Sequence, residues 1–347
     1  MSDVTSGIGG RRIVLIGGAG FIGHSLALSL AHQGATVDVV DSLQVNNLLQ
    51  FASNNGEFKN RDLYLRILNR RLELLNKTGV LLHPVDARDY HALCRVLGQI
   101  KPQVIVHLAA VAHAGRSNKD PYSTFDHNLR TLENTLDYAR DGVEQFVFLS
   151  SSMVYGNFLT ETVDEEHSLN PIGIYGALKL GGEKLVIAYQ QVFDLPYTII
   201  RPSALYGPRC VSRRVGQVFI EEALNGSTLR VEGDGSEKID FTYIEDLVDG
   251  ICLAIQNPAA RNQIFNMTYG QAHSIKELVA VIQKFFPEVQ VEYIERDTLR
   301  PFRGTLSVAK AARLLGYHPK YDLETGFAKY IEWYRNLISP SVTVTGE

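Results

Sequence analysis

The chain has 347 residues, of which 45% are hydrophobic and 21% charged, and its formal net charge is −4 at pH 7. This composition is that of an ordinary globular protein and gives no reason to expect nucleic acid or a membrane as partner. The cysteines, Cys94, Cys210 and Cys252, lie far apart, so neither a zinc site nor a disulfide framework is expected, and no metal is assigned. No signal-peptide core or membrane-spanning run is present in the sequence. We therefore expect a cytoplasmic protein with one large or two closely associated domains.

The first motif is an apolar run at residues 13–16 that is followed by Gly17, Gly20 and Gly23. The run predicts a buried strand, and residues 24–33 have a helical pattern. In such a strand–turn–helix the first glycine permits the turn, the second lets phosphate approach the backbone, and the third lets helix pack on strand. The helix N-terminus also attracts phosphate through its free N–H groups and its dipole. The motif predicts a site for a dinucleotide pyrophosphate.

A second predicted strand, at residues 36–41, ends in Asp41, about 20 residues beyond the glycines. A carboxylate at this place accepts hydrogen bonds from the adenosine ribose hydroxyls and repels a 2′-phosphate. The next residue is Ser42, and no arginine follows directly. NAD is therefore favoured over NADP as the cofactor.

Strand-like and helical patterns alternate through the first two hundred residues. Further strands are predicted at residues 80–85, 104–108, 145–150 and 197–201, and helices at 90–99, 122–140 and 173–192. This alternation predicts an α/β protein with a doubly wound parallel sheet. We assign residues 11–205, with a returning segment at about 241–268, to the cofactor-binding domain, and residues 206–240 and 269–347 to a smaller substrate-binding lobe.

The connection between the second and third predicted strands is long, from residue 46 to residue 79. Within it Tyr64, Leu68, Leu72 and Leu75 have helical spacing, with charged residues between them. The pattern predicts an inserted amphipathic helix. Packing, in an oligomer or over the adenosine end of the cofactor, and a direct substrate role all stay open for it.

A candidate catalytic group is formed by Ser151, Tyr175 and Lys179. The last two are four residues apart in a predicted helix and share one face. An ammonium group there, together with a positive nicotinamide ring, lowers the pKa of the phenol so that tyrosinate acts as a base near neutral pH. Ser151 follows the fifth predicted strand at the carboxyl edge of the sheet, where its hydroxyl can bond both a reacting carbonyl oxygen and the tyrosine.

With these motifs, the chain resembles the extended short-chain dehydrogenase/reductase family and its NAD-dependent nucleotide-sugar epimerases and dehydratases of the UDP-glucose 4-epimerase type. Besides the triad, the resemblance rests on residues 17–23, 86–89, 107–110, 154–156, 201–208, 240–246 and 315–319. It implies a Rossmann-type doubly wound sheet with a smaller C-terminal substrate lobe, a homodimer, and Ser151, Tyr175 and Lys179 as catalytic residues.

The resemblance also implies ligand contacts. The expected cofactor-binding residues are Gly17, Gly20, Phe21, Ile22, Gly23, Asp41, Ser42, Asp86, Ala87, Leu108, Ala109, Ala110, Asn128, Tyr175, Lys179 and Pro202. The expected substrate-binding residues are Arg116, Ser117, Ser152, Met153, Tyr206, Arg209, Arg214 and Arg303. His113 and Arg213 are further candidates near the same cleft. The arginines suit a diphosphate, to which guanidinium groups form forked hydrogen bonds.

Some residues depart from the family pattern. Ser152 and Met153 stand where 4,6-dehydratases carry Asp and Glu, which argues against dehydration and, less strongly, against decarboxylation. Ala204 replaces an asparagine that holds substrate phosphate in many epimerases, and Ile239, preceded by Lys238, replaces an arginine. The diphosphate is therefore expected to bind the arginines named above.

The resemblance implies an NAD-dependent epimerase that inverts C4 of a nucleotide-hexose or uronate through a transient 4-keto sugar. Tyr175 would be the base, Ser151 would bond the ketone oxygen, and Lys179 would hold the nicotinamide ribose. An NAD(P)-dependent 4-keto-sugar reductase or dehydrogenase would use the same triad, and a dehydratase, a decarboxylase or a silent NAD-sensing protein are further alternatives. The sequence identifies neither the sugar nor the nucleotide.

Overall fold

A computed structural model describes residues 7–52 and 59–338. In this part of the chain a seven-stranded sheet has the order β7-β6-β5-β4-β1-β2-β3, and every pair in it is parallel. The strands are β1 (Arg12–Ile16), β2 (Thr36–Val40), β3 (Leu81–His83), β4 (Val104–His107), β5 (Gln145–Leu149), β6 (Tyr197–Arg201) and β7 (Gln263–Asn266). The order reverses between β1 and β4, which is the switch point where such sheets bind ligands. The doubly wound α/β fold is confirmed.

The helices that connect or cover the strands are α1 (Phe21–His32), α2 (Leu48–Ala52), α3 (Arg61–Lys77), α4 (Tyr90–Ile100), α5 (Ala114–Lys119), α6 (Pro121–Phe125), α7 (Thr131–Ala139), α8 (Gly173–Phe193), α9 (Val215–Leu224), α10 (Ile244–Gln256), α11 (Ile275–Phe285), α12 (Ala309–Leu315) and α13 (Leu323–Ile338). Short 3₁₀ turns occupy Ser152–Val154 and Pro258–Ala260. Among the described residues no helix has the length and apolarity needed to cross a membrane.

Both faces of the sheet are buried, as a near-continuous apolar strand such as β1 requires. Ile13 and Leu15 face a core that includes residues of α1 and α10. Val14 and Ile16 face a second core that includes residues of α4, α7 and α8. This alternation places helices on both faces of the sheet. The edge formed by the carboxyl ends of the strands lies beyond these helices.

Most predicted elements are found with shifted ends. The predicted strand at residues 80–85 ends at His83, because Pro84 has no N–H group to continue the ladder. The predicted helix at 122–140 is divided into α6, a π-helical segment at Asp126–Arg130, and α7. The inserted helix is found as α3; residues 53–58 of the same connection lie outside the described residues.

The C-terminal residues form small strand pairs and helices beside the sheet. The pairs are Leu229–Glu232 with Val291–Ile294, Lys238–Asp240 with Ala272–Ser274, Leu205–Tyr206 with Thr242–Tyr243, and Thr162–Val163 with Thr305–Leu306. Strand β7 pairs with β6 and α10 packs against α1, so both belong to the sheet side of the molecule. The division into a cofactor domain and a substrate lobe stays a prediction.

Candidate active site

The glycine-rich loop joins β1 to α1 in the geometry that the motif predicts. Gly17 has a φ of +79°, and a Cβ built there would lie 2.7 Å from the backbone nitrogen of Ala109. A Cβ at Gly23 would lie 2.4 Å from the Cα of Gly18, so the helix can pack here only without a side chain. The missing side chains therefore leave a backbone cradle at the start of α1, as a pyrophosphate requires.

Two carboxylates lie at the rim of this cradle. Asp41 accepts hydrogen bonds from the backbone nitrogens of Ala19 (3.0 Å) and Leu43 (2.7 Å), which fix its orientation, while burial raises its pKa. The guanidinium of Arg88 binds Asp86 through Nε and Nη2, and these bonds lower the pKa of Asp86 although burial opposes them. Both carboxylates lie at the carboxyl ends of β2 and β3, next to the switch point.

A single pocket contains most of the predicted cofactor residues. Those that line it are Gly17, Gly20, Phe21, Ile22, Gly23, Asp41, Ser42, Asp86, Ala87, Leu108, Ala109 and Ala110. Val45, Asn46, His127, Thr131, Ser212 and Arg214 also line it, and the sequence did not assign the first five to the cofactor. The combination of a glycine cradle, an oriented carboxylate and apolar walls fits a dinucleotide.

The catalytic candidates meet at the carboxyl end of β5. Ser151 and Tyr175 are both buried, and the Ser151 hydroxyl is near enough to the Tyr175 phenol to lower its pKa. Ser151 Oγ also accepts a hydrogen bond of 3.2 Å from the backbone nitrogen of Met153, which holds the hydroxyl at the start of a 3₁₀ turn. Lys179 lies one turn after Tyr175 on α8, and its Nζ donates to the carbonyl oxygen of Leu149 at 2.5 Å.

The charges around Tyr175 include a cation besides Lys179. Burial raises the pKa of the Tyr175 phenol, and the groups that oppose this are the Arg214 guanidinium and the Ser151 hydroxyl. The Lys179 ammonium group is bound to the carbonyl oxygen of Leu149, and burial lowers its pKa to about 7. Arg214 is thus a cation that favours tyrosinate, and the role of Lys179 stays a prediction.

A buried polar network holds α8 against the strand ends. Ser150 Oγ donates to Glu183 Oε1 at 2.5 Å, and Arg201 binds the same carboxylate through Nε (2.9 Å) and Nη2 (2.7 Å). Arg201 Nη1 also donates to the Tyr155 hydroxyl, which in turn donates to Asn266. The network fixes the helix that carries Tyr175 and Lys179.

Two arginines at or near the pocket donate no side-chain hydrogen bond to a described residue. Arg214 lines the pocket and its Nε is buried without a partner. Arg303 is near the Glu237 carboxylate as well as Arg214, and burial lowers its pKa to about 10. His113 is near Arg214 and Arg116, and burial and these charges lower its pKa. Such a group of cations favours an anionic ligand.

The comparison with known proteins decides the family. A sequence model of the NAD dependent epimerase/dehydratase family matches residues 13–268. The chain belongs to this family. Its cofactor is therefore NAD. A UDP-glucose 4-epimerase of Mycolicibacterium smegmatis is 31% identical over 94% of this chain and 99% of its own length.

Two further matches are sugar-nucleotide 4-epimerases by name. A UDP-glucuronate 4-epimerase of Arabidopsis thaliana is 26% identical, over 96% of this chain and 78% of its own length. The crystal structure of a UDP-glucose 4-epimerase from Thermotoga maritima with UDP-glucose superposes with a TM-score of 0.79. It is 26% identical and covers 94% of this chain and 99% of the other.

Hydrogen bonds define the positions of two other residues predicted to bind NAD, Asn128 and Pro202. Asn128, in the π-helical segment, accepts a hydrogen bond of 2.8 Å from the backbone nitrogen of Val111. Its Nδ2 is buried and has no partner among the described residues, so it is available to a ligand. Pro202 is buried, and its carbonyl oxygen accepts from the backbone nitrogen of Ser152.

The structure does not bring every predicted substrate residue to the cleft. Tyr206 packs in the core, stacked on Phe327 with ring centroids 4.1 Å apart, and its hydroxyl donates to Asp322. Arg209 lies in a second groove between α1 and α10, where its Nε donates to His24. Both side chains are already held by other elements of the fold.

The remaining predicted substrate residues divide by accessibility. Ser117 is fully buried and donates to the carbonyl of His113, and Ser152 is also buried. Arg116 is exposed and donates to Asn46 and Gln50 at the start of the insertion. Met153 is half-buried beside Gly176, where a Cβ would lie 2.7 Å from its carbonyl oxygen. Ser151, Tyr175, Met153, Arg214 and Arg303 therefore form the part of the site that a substrate can reach.

Sequence reasoning missed some positioning residues. Asn118 Oδ1 accepts a hydrogen bond from the backbone nitrogen of Ile174 and so caps the helix of Tyr175. No sequence motif predicts this role of Asn118. Glu183 could have been found, because it is four residues after Lys179 and eight after Tyr175, on the same helix face. In the described ranges no group of three or more His, Cys, Asp or Glu side chains is arranged to hold a metal ion.

Proposed function

We propose that this protein is a nucleotide-sugar 4-epimerase that uses NAD and acts on a nucleotide-hexose or nucleotide-hexuronate. The observation that carries the proposal is the pair of hydroxyl groups of Ser151 and Tyr175 at the carboxyl end of β5, near Arg214 of the dinucleotide pocket, with no carboxylate at the two positions after Ser151. The relatives named above, which act on UDP-glucose or UDP-glucuronate by their names, support the same reaction.

The chemistry follows from the charges in the site. Tyr175, as tyrosinate, accepts the proton of the C4 hydroxyl, and Ser151 donates a hydrogen bond to the oxygen that becomes the ketone. Bound NAD supplies a reversible hydride acceptor. Arg214 stabilises the tyrosinate, because its positive charge lowers the pKa of Tyr175. Hydride given back to the opposite face of C4 would be matched by the proton that Tyr175 returns to the C4 oxygen, so the isomerisation involves no net oxidation.

Two arginines support a diphosphate at the other end of the substrate. Arg214 lines the pocket, Arg303 is near Arg214 and Glu237, and neither donates a side-chain hydrogen bond to a described residue, so both are free to bind a diphosphate. They would take over the role of the asparagine and arginine that Ala204 and Ile239 replace. Lys238 does not compete for this role, because it is exposed and bound to Glu161 at 2.9 Å.

The absence of acids at Ser152 and Met153 argues against dehydration. Loss of water from the sugar needs a proton donor for the leaving hydroxyl, and neither side chain can supply one. A reductase would use the same hydroxyl groups but would consume its cofactor. We also propose a homodimer, in keeping with the exposed apolar Val192 and Phe193 near the end of α8, which sedimentation equilibrium would test.

The test is to incubate the purified protein, without added NAD, with UDP-, GDP-, CDP- and dTDP-sugars and to analyse the products by chromatography and proton NMR. An isomer of unchanged mass that forms from either side supports the proposal and names the substrate. A mass change of two hydrogens that needs added cofactor would make the protein a reductase or dehydrogenase. Tyr175→Phe should lower kcat by about 10²–10⁴-fold while the protein keeps its NAD.

A further inference from the structure

Arg71 of the inserted helix α3 is almost fully buried, with 1% of its surface exposed. Its Nε donates to the carbonyl oxygen of Arg209 at 3.0 Å, and Nη2 donates to the same oxygen. Its Nη1 donates to the carbonyl oxygen of Ala19 at 3.4 Å. Ala19 belongs to the glycine-rich loop, and Arg209 belongs to residues 207–214, which end in Arg214. One guanidinium therefore joins the cofactor loop to the segment that carries a substrate arginine.

This guanidinium remains charged although it is buried. Burial lowers its pKa to about 10, and the nearby carboxylate of Asp41 opposes the change. Burying a cation whose hydrogen bonds end on carbonyl oxygens costs more free energy than burying an apolar side chain. The same helix face buries Leu68 and Leu75, so an apolar residue at position 71 would serve packing equally well. The charge therefore needs a reason other than packing.

The start of the insertion also touches the glycine-rich loop. Asn47 Nδ2 donates to the carbonyl oxygen of Ala19 at 3.2 Å, so this oxygen accepts from two parts of the insertion. Asn46 and Gln50 accept from Arg116 on α5. The helix is anchored to α9 through the hydrogen bond of 2.6 Å from the Tyr64 hydroxyl to Glu221. The anchor on α9 and the contacts to Ala19 and Arg209 are thus made by different residues of α3.

We propose that Arg71 is a positioning residue that couples binding of NAD at the glycine-rich loop to binding of the substrate diphosphate at residues 207–214. A ligand that orders one of the two loops fixes the carbonyl oxygen that Arg71 binds in that loop. The guanidinium is then held in place, and it in turn fixes the carbonyl oxygen that it binds in the other loop. The proposal rests on the proposed function for the chemistry of the second ligand, a nucleoside diphosphate. Coupling of this kind changes affinities by about 5–150-fold.

The test follows the release of NADH. Protein loaded with NADH is mixed with excess NAD, and the loss of NADH fluorescence is recorded with and without UDP. In the unmodified protein, UDP should slow release by about 5-fold or more. Arg71→Met should release NADH about 10-fold faster, and UDP should no longer slow it. Arg70→Met is the matched control, because Arg70 is exposed and forms an ion pair with Glu73 rather than with either loop, and it should behave as the unmodified protein.

Further variants separate positioning from folding. Arg71→Lys keeps the charge but offers a single ammonium group, so release and the UDP effect should be intermediate even if Arg71→Met does not fold. Tyr64→Phe removes the anchor on Glu221 and should lower the thermal midpoint while the UDP effect remains. The proposal is overturned if either Arg71 variant releases NADH at the unmodified rate, or if Tyr64→Phe abolishes the UDP effect as fully as Arg71→Met.

The outcome also distinguishes the two proposals. If UDP does not slow NADH release from an unmodified protein that epimerises a UDP-sugar, the coupling is contradicted and the proposed function stands. If Arg71→Met keeps the UDP effect while the unmodified protein epimerises a UDP-sugar, the proposed function stands and the role of Arg71 is refuted.

Discussion

The hydroxyl of Ser150 donates a hydrogen bond of 2.5 Å to the carboxylate of Glu183, and this bond joins the strand end before Ser151 to the catalytic helix. It is one of two such links, because Lys179 also donates to the carbonyl oxygen of Leu149. Neighbouring residues at the end of β5 are thus bound to α8, which holds the helix of Tyr175 against the strand end.

Ser150→Ala tests this arrangement. Loss of the donor leaves the buried Glu183 carboxylate with one partner fewer, which should lower the free energy of unfolding by about 1.5–3 kcal/mol. Because a small misplacement of reacting groups is costly, kcat should fall by about 10-fold with little change in KM. Urea unfolding and steady-state kinetics measure the two effects.

Ser203→Ala is the control for Ser150→Ala, because the Ser203 hydroxyl is buried without a partner in the described residues. Its removal should leave stability and kcat nearly unchanged. A Ser150→Ala protein with normal kcat would show that the link to Glu183 serves stability alone.

Arg214→Gln tests the cation that faces Tyr175. Activity needs tyrosinate, so kcat/KM rises with pH as Tyr175 loses its proton. Arg214 lowers the pKa of Tyr175, and its removal should therefore move this rise to higher pH and also raise KM through the lost phosphate contact. A pH profile of kcat/KM measures the shift.

Arg213→Gln is the neighbouring control for Arg214→Gln, because the charge of Arg213 acts on Tyr64 rather than on Tyr175. Its profile should keep the original midpoint. An Arg214→Gln profile with the same midpoint as that of Arg213→Gln would remove Arg214 from the activation of the base.

The sequence predicted those features that depend on local pattern. The alternation of strands and helices and the cradle at Gly17 follow from spacing within single elements, and the structure places them as expected. Arg209 and Tyr206 were assigned to the substrate because the family resemblance implied it. Their directions are set by His24 and Phe327, which are more than one hundred residues away, and no local pattern reports such contacts.

The same reasoning explains what was missed in the insertion. Its amphipathic spacing predicts a helix and its apolar face, but the pattern treats Arg71 as one more charge between leucines. Only the fold shows that Arg71 points inward to Ala19 while Arg70 points outward to Glu73. The role of a buried charge depends on acceptors contributed by distant segments, which a sequence pattern does not contain.

Gly23→Ala tests the close packing of α1 on the glycine-rich loop. The new methyl group would lie 2.4 Å from the Cα of Gly18, which is backbone and cannot turn aside. Stability should fall by about 1–3 kcal/mol, and the protein should be purified with less NAD. Gly98→Ala on α4 is the control, because nothing lies within 4 Å of its Cβ position. It should be neutral or stabilising by up to about 1 kcal/mol, and equal effects of the two substitutions would refute the packing argument.

Asp41→Asn tests the choice between NAD and NADP. The carboxylate is oriented by the backbone nitrogens of Ala19 and Leu43 and lines the pocket, where its charge repels a 2′-phosphate. Asparagine removes the charge and weakens the hydrogen bonds to the ribose, each worth about 1.5–3 kcal/mol when the acceptor is charged. The preference for NADH over NADPH, measured by fluorescence titration, should therefore fall by about 10-fold or more.

Asp38→Asn is the control, because Asp38 binds His83 and does not line this pocket. The preference of this variant for NADH should equal that of the unmodified protein. If Asp41→Asn keeps the preference for NADH over NADPH, a group other than Asp41 must distinguish the ribose hydroxyl from the 2′-phosphate.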